Sequence, residues 1–101
     1  MVVDDLPLMR MRIRESLLEA GHEVVEASEG SEALEFFRRY KPDAVFLDLK
    51  MPDMSGVDCL RQIRELNPEA RVTMVTGDAQ RATVESARDV GAVDFILKPF
   101  N

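Results

Sequence analysis

Short apolar runs alternate with longer stretches whose apolar residues recur every three or four positions. Such a change of period marks strands alternating with amphipathic helices. Residues 1–3 form an apolar stub that ends at Asp4 and Asp5. Over 7–20 the spacing predicts a helix with Met9, Ile13, Leu17 and Ala20 on one face, Pro7 in the first turn and Gly21 as the stop. Residues 23–27 are a short strand candidate. Residues 31–40 read as a second helix with Ala33, Leu34 and Phe37 inward, ended by Lys41 and Pro42.

The run Ala44, Val45, Phe46, Leu47 is continuously apolar and ends at Asp48. Strands buried on both faces of a parallel sheet look like this. After a loop over 50–56, residues 57–66 predict a third helix carrying Leu60, Ile63 and Leu66, with Pro68 beyond it. Residues 72–75 form a strand that ends at Thr76. Residues 80–90 form a fourth, less apolar helix stopped by Gly91, and 93–97 a strand that ends at Lys98. Strict strand–helix alternation at this spacing implies an α/β fold with a parallel sheet, and right-handed crossovers send the helices to both faces.

This order has a chemical consequence. Four apolar strands each end in a polar or reactive group: Asp4 and Asp5, Asp48, Thr76, and Lys98. In a parallel sheet these ends share one edge, where open α/β sheets bind ligands. Three carboxylates would meet one ammonium there. Like charges ~4 Å apart repel by roughly 4 kcal/mol at an effective dielectric near 20, so either a carboxylate is protonated or a cation binds. A donor set of oxygens without His or Cys suits a hard cation, and Mg²⁺ is the common partner of phosphate chemistry. A lone aspartate at a strand end is usually a turn former. Four compatible strand ends favour a phosphoryl-transfer site.

Composition narrows the field. With 101 residues the chain fits one domain, 46% of it hydrophobic and 32% charged. A net charge of −6 argues against a nucleic-acid surface. Arg10, Arg12 and Arg14 sit among acids and read as a solvated helix face. No run approaches a membrane span and no signal-peptide pattern is visible, which points to the cytoplasm. The single cysteine, Cys59, excludes an internal disulfide and reads as a partly buried small side chain. His22 reads as a surface residue, Met51 as a wall of the site, and Asp53 as a loop acid of the helix-capping kind.

The segments Val2-Val3-Asp4-Asp5, Phe46-Leu47-Asp48-Leu49-Lys50-Met51-Pro52-Asp53-Met54-Ser55-Gly56, Val75-Thr76-Gly77 and Phe95-Ile96-Leu97-Lys98-Pro99-Phe100 together resemble the receiver domain of bacterial two-component response regulators of the CheY-like type. The resemblance implies a doubly wound, flavodoxin-like sheet of five parallel strands in the order 2-1-3-4-5. It implies a signalling module rather than an enzyme, with only self-phosphorylation and slow autodephosphorylation. Asp48 would be the phosphoacceptor. Mg²⁺ or Mn²⁺ would be held by Asp5, Asp48, the backbone carbonyl of Lys50, and Asp4 through water. Thr76 and Lys98 would hold phosphoryl oxygens. Thr76 and Phe95 would switch the surface made by the fourth helix and the last strand. The implied partners are a sensor histidine kinase or phosphotransfer protein and an output protein or fused effector domain, with no nucleic acid and no membrane.

Against that pattern, residues 1–101 are expected to form a receiver domain incomplete at both ends. The first strand is short, and the family's fifth helix is lacking after Asn101. The sheet face so left open is expected to favour self-association. Two other functions compete: a Mg²⁺-dependent phosphatase with an aspartyl nucleophile, and a truncated receiver that only binds or oligomerises. The phosphatases of haloacid-dehalogenase type carry Asp-x-Asp on the first strand, whereas here the acids are adjacent.

Overall fold

The computed structural model describes residues 1–76, 88–89, 91 and 94–97, with Thr76 and the last four given by backbone alone. The described elements are β1 (Val2–Val3), α1 (Pro7–Glu19), β2 (Glu26–Ala27), α2 (Gly30–Tyr40), β3 (Ala44–Asp48), α3 (Gly56–Leu66), β4 (Arg71–Thr76) and β5 (Asp94–Leu97). All pairings between these strands are parallel, in the order β2-β1-β3-β4-β5. The fourth predicted helix, over 80–90, lies outside the described residues apart from two of its last positions.

Several element boundaries differ from expectation by a residue or more, three of them for visible reasons. The strand expected over 23–27 is only two residues long, because β1 offers two partners, Val2 opposite Glu26 and Val3 opposite Ala27. Helix α1 ends at Glu19, one residue short of the expected face. Ala20 caps it with its N–H on the Ser16 carbonyl, the next N–H, of Gly21, donates to the Leu18 carbonyl, and Ala20 is exposed. Helix α3 starts one residue early, at Gly56, where Ser55 caps it by accepting the Asp58 N–H at 3.1 Å.

Alternation along the strands divides the core between the two sheet faces. Val3, Val45, Leu47, Val72 and Met74 share one cluster with Ala33, Leu34 and Phe37 of α2 and Cys59, Leu60 and Ile63 of α3. Val2 and Val75 point the other way, onto Ile13 of α1, with half-buried Leu17, Val24 and Phe46 around them. The expectation for β3 therefore holds at Val45 and Leu47. Phe46 is only partly covered and Ala44 is exposed. Cys59 is fully buried, deeper than expected, and burial pushes its thiol pKa up to about 12.

Arg64 joins the far end of the molecule. Its Nη1 donates to the carbonyls of Pro68 and Ala70, and its Nη2 to that of Gly91, each at 2.6 Å. These bonds tie the end of α3 to the start of β4 and to the turn before β5. Gly91 has a φ of +109°, and a Cβ there would lie 2.6 Å from Arg64 Nε. The left-handed backbone thus selects glycine, and a side chain there would also have to push the Arg64 guanidinium aside.

Candidate functional site

The site lies at the carboxyl ends of β1 and β3, where the ladder pairs Val3 with Leu47. The next residues, Asp4 and Asp48, therefore leave the sheet side by side. Both are buried, at 1% and 6% exposure, and Asp5 beside them is exposed. One carboxylate oxygen from each of Asp4, Asp5 and Asp48 lies within 4.8 Å of the other two. This is the acidic part of the convergence expected from the strand ends.

The surrounding backbone is closely fixed. The Asp4 N–H donates to the Ala27 carbonyl at 3.1 Å, and Asp4 Oδ1 accepts the Leu6 N–H at 2.9 Å. This side-chain turn holds the chain as it leaves β1 for α1. On the other strand, Asp48 Oδ1 accepts the Lys50 N–H at 3.4 Å. Lys50 pairs with Ser55 in an antiparallel bridge, and the Gly56 N–H reaches the Leu49 carbonyl at 2.8 Å, which closes the loop after Asp48. A Cβ on Gly56 would collide with the Asp48 carbonyl and with Leu49 Cα. Only glycine lets α3 begin so near the site.

Asp53 anchors that loop to α2. Its Oδ1 and Oδ2 accept the Gly30 and Ser31 N–H groups, each at 2.8 Å. The N-cap residue of α2, Glu29, makes no side-chain cap bond, so a loop acid from 23 residues away satisfies these donors. The bonds from Ser31 and Gly30 hold the Asp53 carboxyl below its ordinary pKa. The capping character expected of Asp53 is present, although the helix it caps is not its own. Met51, expected as a wall of the site, is half-buried against the larger core cluster. His22 is exposed, as expected.

The remaining candidates are placed by backbone or not described. Asp48 pairs with Val75, so Thr76 follows one step beyond it on β4. Phe95 pairs with Met74 on β5. Lys98 lies outside the described residues.

The arginine run of α1 departs from its expected role as a solvated face. Arg12 is exposed, but Arg10 and Arg14 are half-buried and converge on Glu26 of β2 at 3.4 and 3.2 Å. Arg10 Nη1 also donates to the Asp4 carbonyl at 2.8 Å. The available signal was their spacing of four residues, which puts Arg10 and Arg14 on one face.

The donor set fits a hard divalent cation: carboxylate oxygens only, two of them on buried side chains and one on an exposed side chain at the mouth. A family model for the response regulator receiver domain matches residues 1–101. The chain belongs to the response regulator receiver domain family. It is 41% identical to the chemotaxis protein CheY of Thermotoga maritima over 101 residues, 99% of this chain and 84% of that one. In fold it is similar to a Burkholderia pseudomallei response regulator with a phosphorylated aspartic acid, calcium ion and citrate. That match has a TM-score of 0.92 and 30% identity and covers 99% of this chain and 59% of that one. It is also similar to a chain of the CheX–CheY–BeF₃–Mg²⁺ complex of Borrelia burgdorferi, with a TM-score of 0.93 and 31% identity, over 99% and 77% of the two chains.

Membership places this receiver domain in two-component signalling and accounts for the flavodoxin-like strand order. Among the described residues, no helix is long and apolar enough to cross a membrane.

Proposed function

We propose that this receiver domain takes a phosphoryl group onto Asp48 from a sensor histidine kinase or a phosphotransfer protein and passes the change on as an altered surface. The observation that carries the reading is the meeting of Asp4, Asp5 and Asp48 within 4.8 Å at the strand ends of a receiver-family chain. An Asp48 carboxylate oxygen attacks phosphorus. The P–N bond of the donor phosphohistidine breaks, and its imidazole nitrogen leaves with a proton. Later a water oxygen attacks phosphorus, the Asp48 O–P bond breaks, and inorganic phosphate departs.

Asp5, Asp48 and the Lys50 carbonyl would hold Mg²⁺ or Mn²⁺, with Asp4 acting through water. Such a cation neutralises charge on the acids and on the phosphoryl oxygens. Buried Asp48 is largely screened from bulk water, while Asp5 beside it is exposed. Thr76 and Lys98 are assigned to the other phosphoryl oxygens. Movement of Thr76 toward them is coupled to Phe95 on the neighbouring strand, which biases the surface of the fourth helix and β5.

On this reading the chain is a switch and not a turnover enzyme. Its output is an effector protein or a fused domain, and it works in the cytoplasm beside its kinase. The test is incubation with acetyl phosphate and Mg²⁺ followed by mass spectrometry. One added phosphoryl group is expected, lost with Asp48→Asn and with chelator. Steady turnover of unrelated phosphoesters would support the phosphatase instead, and no labelling a purely binding domain.

A further inference from the structure

We infer that Arg10 is a positioning residue for the acidic cluster: its guanidinium fixes the peptide that leads into Asp5 and thereby sets the cation affinity of the site. This rests on the proposed cation site and goes beyond it to a residue on a helix.

The carbonyl of Asp4 and the N–H of Asp5 belong to one planar unit. Arg10 Nη1 grips that carbonyl at 2.8 Å. The preceding peptide is pinned by the Asp4 N–H on the Ala27 carbonyl, and the turn from the Leu6 N–H to Asp4 Oδ1 spans the unit from the other side. With the plane held, Asp5 keeps only its own backbone rotation and side-chain torsions to find the cluster. Its exposure leaves it dependent on the chain that leads to it.

Arg10 is itself held. Its Nε lies 3.4 Å from Glu26 Oε1, while Glu26 Oε2 lies 3.2 Å from Arg14 Nη1. Glu26 stands opposite Val2 in the β1–β2 ladder. The brace therefore runs from β2 through α1 to the turn after β1. The Arg10 and Glu26 side chains are 21% and 30% exposed, which keeps this pair better ordered than a fully solvated one.

Charge and position predict opposite signs here. A cation beside three carboxylates repels a second cation, so an Arg10 acting by charge alone would weaken metal binding, and its removal would tighten it. An Arg10 acting by position strengthens binding, and its removal loosens it. Arg10→Lys separates the two further. It keeps the charge but lacks the planar fork that serves the Asp4 carbonyl and Glu26 together.

The experiment is calorimetric titration of Mg²⁺ into the full chain, wild type against Arg10→Gln, Arg10→Lys and Glu26→Gln, with metal-free melting curves for each. Arg10→Gln and Arg10→Lys are expected to weaken Mg²⁺ about tenfold, in the range of outer-shell partners of metal ligands. Glu26→Gln should weaken it by a smaller factor, with cooperative melting kept. Unchanged or tighter binding in Arg10→Gln overturns the inference. If that variant does not fold, unchanged affinity in both Arg10→Lys and Glu26→Gln overturns it. A wild type that binds no Mg²⁺ overturns the proposed site and this inference together, whereas binding that is equal in wild type and variants removes the inference alone.

Discussion

The two faces of the sheet are built unequally. On one, α2 and α3 close over Val3, Val45, Leu47, Val72 and Met74, and Leu60, Ile63 and Cys59 are fully buried. On the other, among the described residues, α1 covers Val2 and Val75 mainly through Ile13, and Leu17, Val24 and Phe46 stay half-buried. The stability of the described part is therefore concentrated on the face of α2 and α3, which also carries the loop after Asp48. Helix α1 contributes less burial and more polar bracing, through Arg10 and Arg14.

Equal truncations on the two faces should expose this difference most clearly. Leu60→Ala removes a fully buried side chain and is expected to cost about 2–5 kcal/mol in chemical denaturation. Leu17→Ala removes a half-buried one, and about 1 kcal/mol is expected from the smaller area it covers. Equal losses would show that α1 is packed as tightly as α3.

The next test falls where the heavier face meets the site. Gly56→Ala would drive a methyl group into the Asp48 carbonyl, a backbone atom that cannot swing away. We expect about 1–3 kcal/mol of lost stability. Acetyl phosphate labelling should fall more than in Leu60→Ala compared at equal fraction folded. If labelling simply tracks the folded fraction, the close approach of α3 is structural only.

A third test uses pH. The Asp53 carboxyl sits below its ordinary value of 3.8 because it accepts the Ser31 and Gly30 N–H groups. In the window between the lowered folded value and the ordinary one, the unfolded chain binds more protons. The contribution of Asp53 is thus fully present above the ordinary value and is lost as pH falls through the folded one. The melting-temperature gap between wild type and Asp53→Asn should be open at pH 6 and shrink as pH falls below about 4. A gap that does not change with pH would mean that the carboxylate charge adds nothing to the cap.

Much of this was legible in the chain. The alternation of periods set out the sheet and its helices, and the acids at the ends of the first and third strands pointed to one edge. Asp4, Asp5 and Asp48 meet there because parallel pairing leaves no other place for them. What escaped were contacts between elements distant in sequence. Nothing local tells Arg10 from Arg12, since both stand among charges in one helix. Only the Val2–Glu26 register brings an acid to Arg10 and leaves Arg12 in water. Ala20 was misplaced for the opposite reason: its spacing was right, but the helix ended before the face did. Arg64 reads as another surface cation until Pro68, Ala70 and Gly91 fold around its guanidinium.

The smallest effect is expected on the outer side of α1. Leu8 and Leu18 are 55% and 52% exposed, with Met11 between them, so this stripe faces away from Ile13. Leu18→Gln should change stability by no more than about 0.5 kcal/mol, as for an ordinary surface position. The measurement is a melting curve at low and high protein concentration, paired with sedimentation. A small shift that is the same at both concentrations fits a wet stripe on the lightly packed face. A larger loss that grows with concentration would mean that a second copy covers α1, and the thin face would then draw part of its burial from association rather than from the single chain.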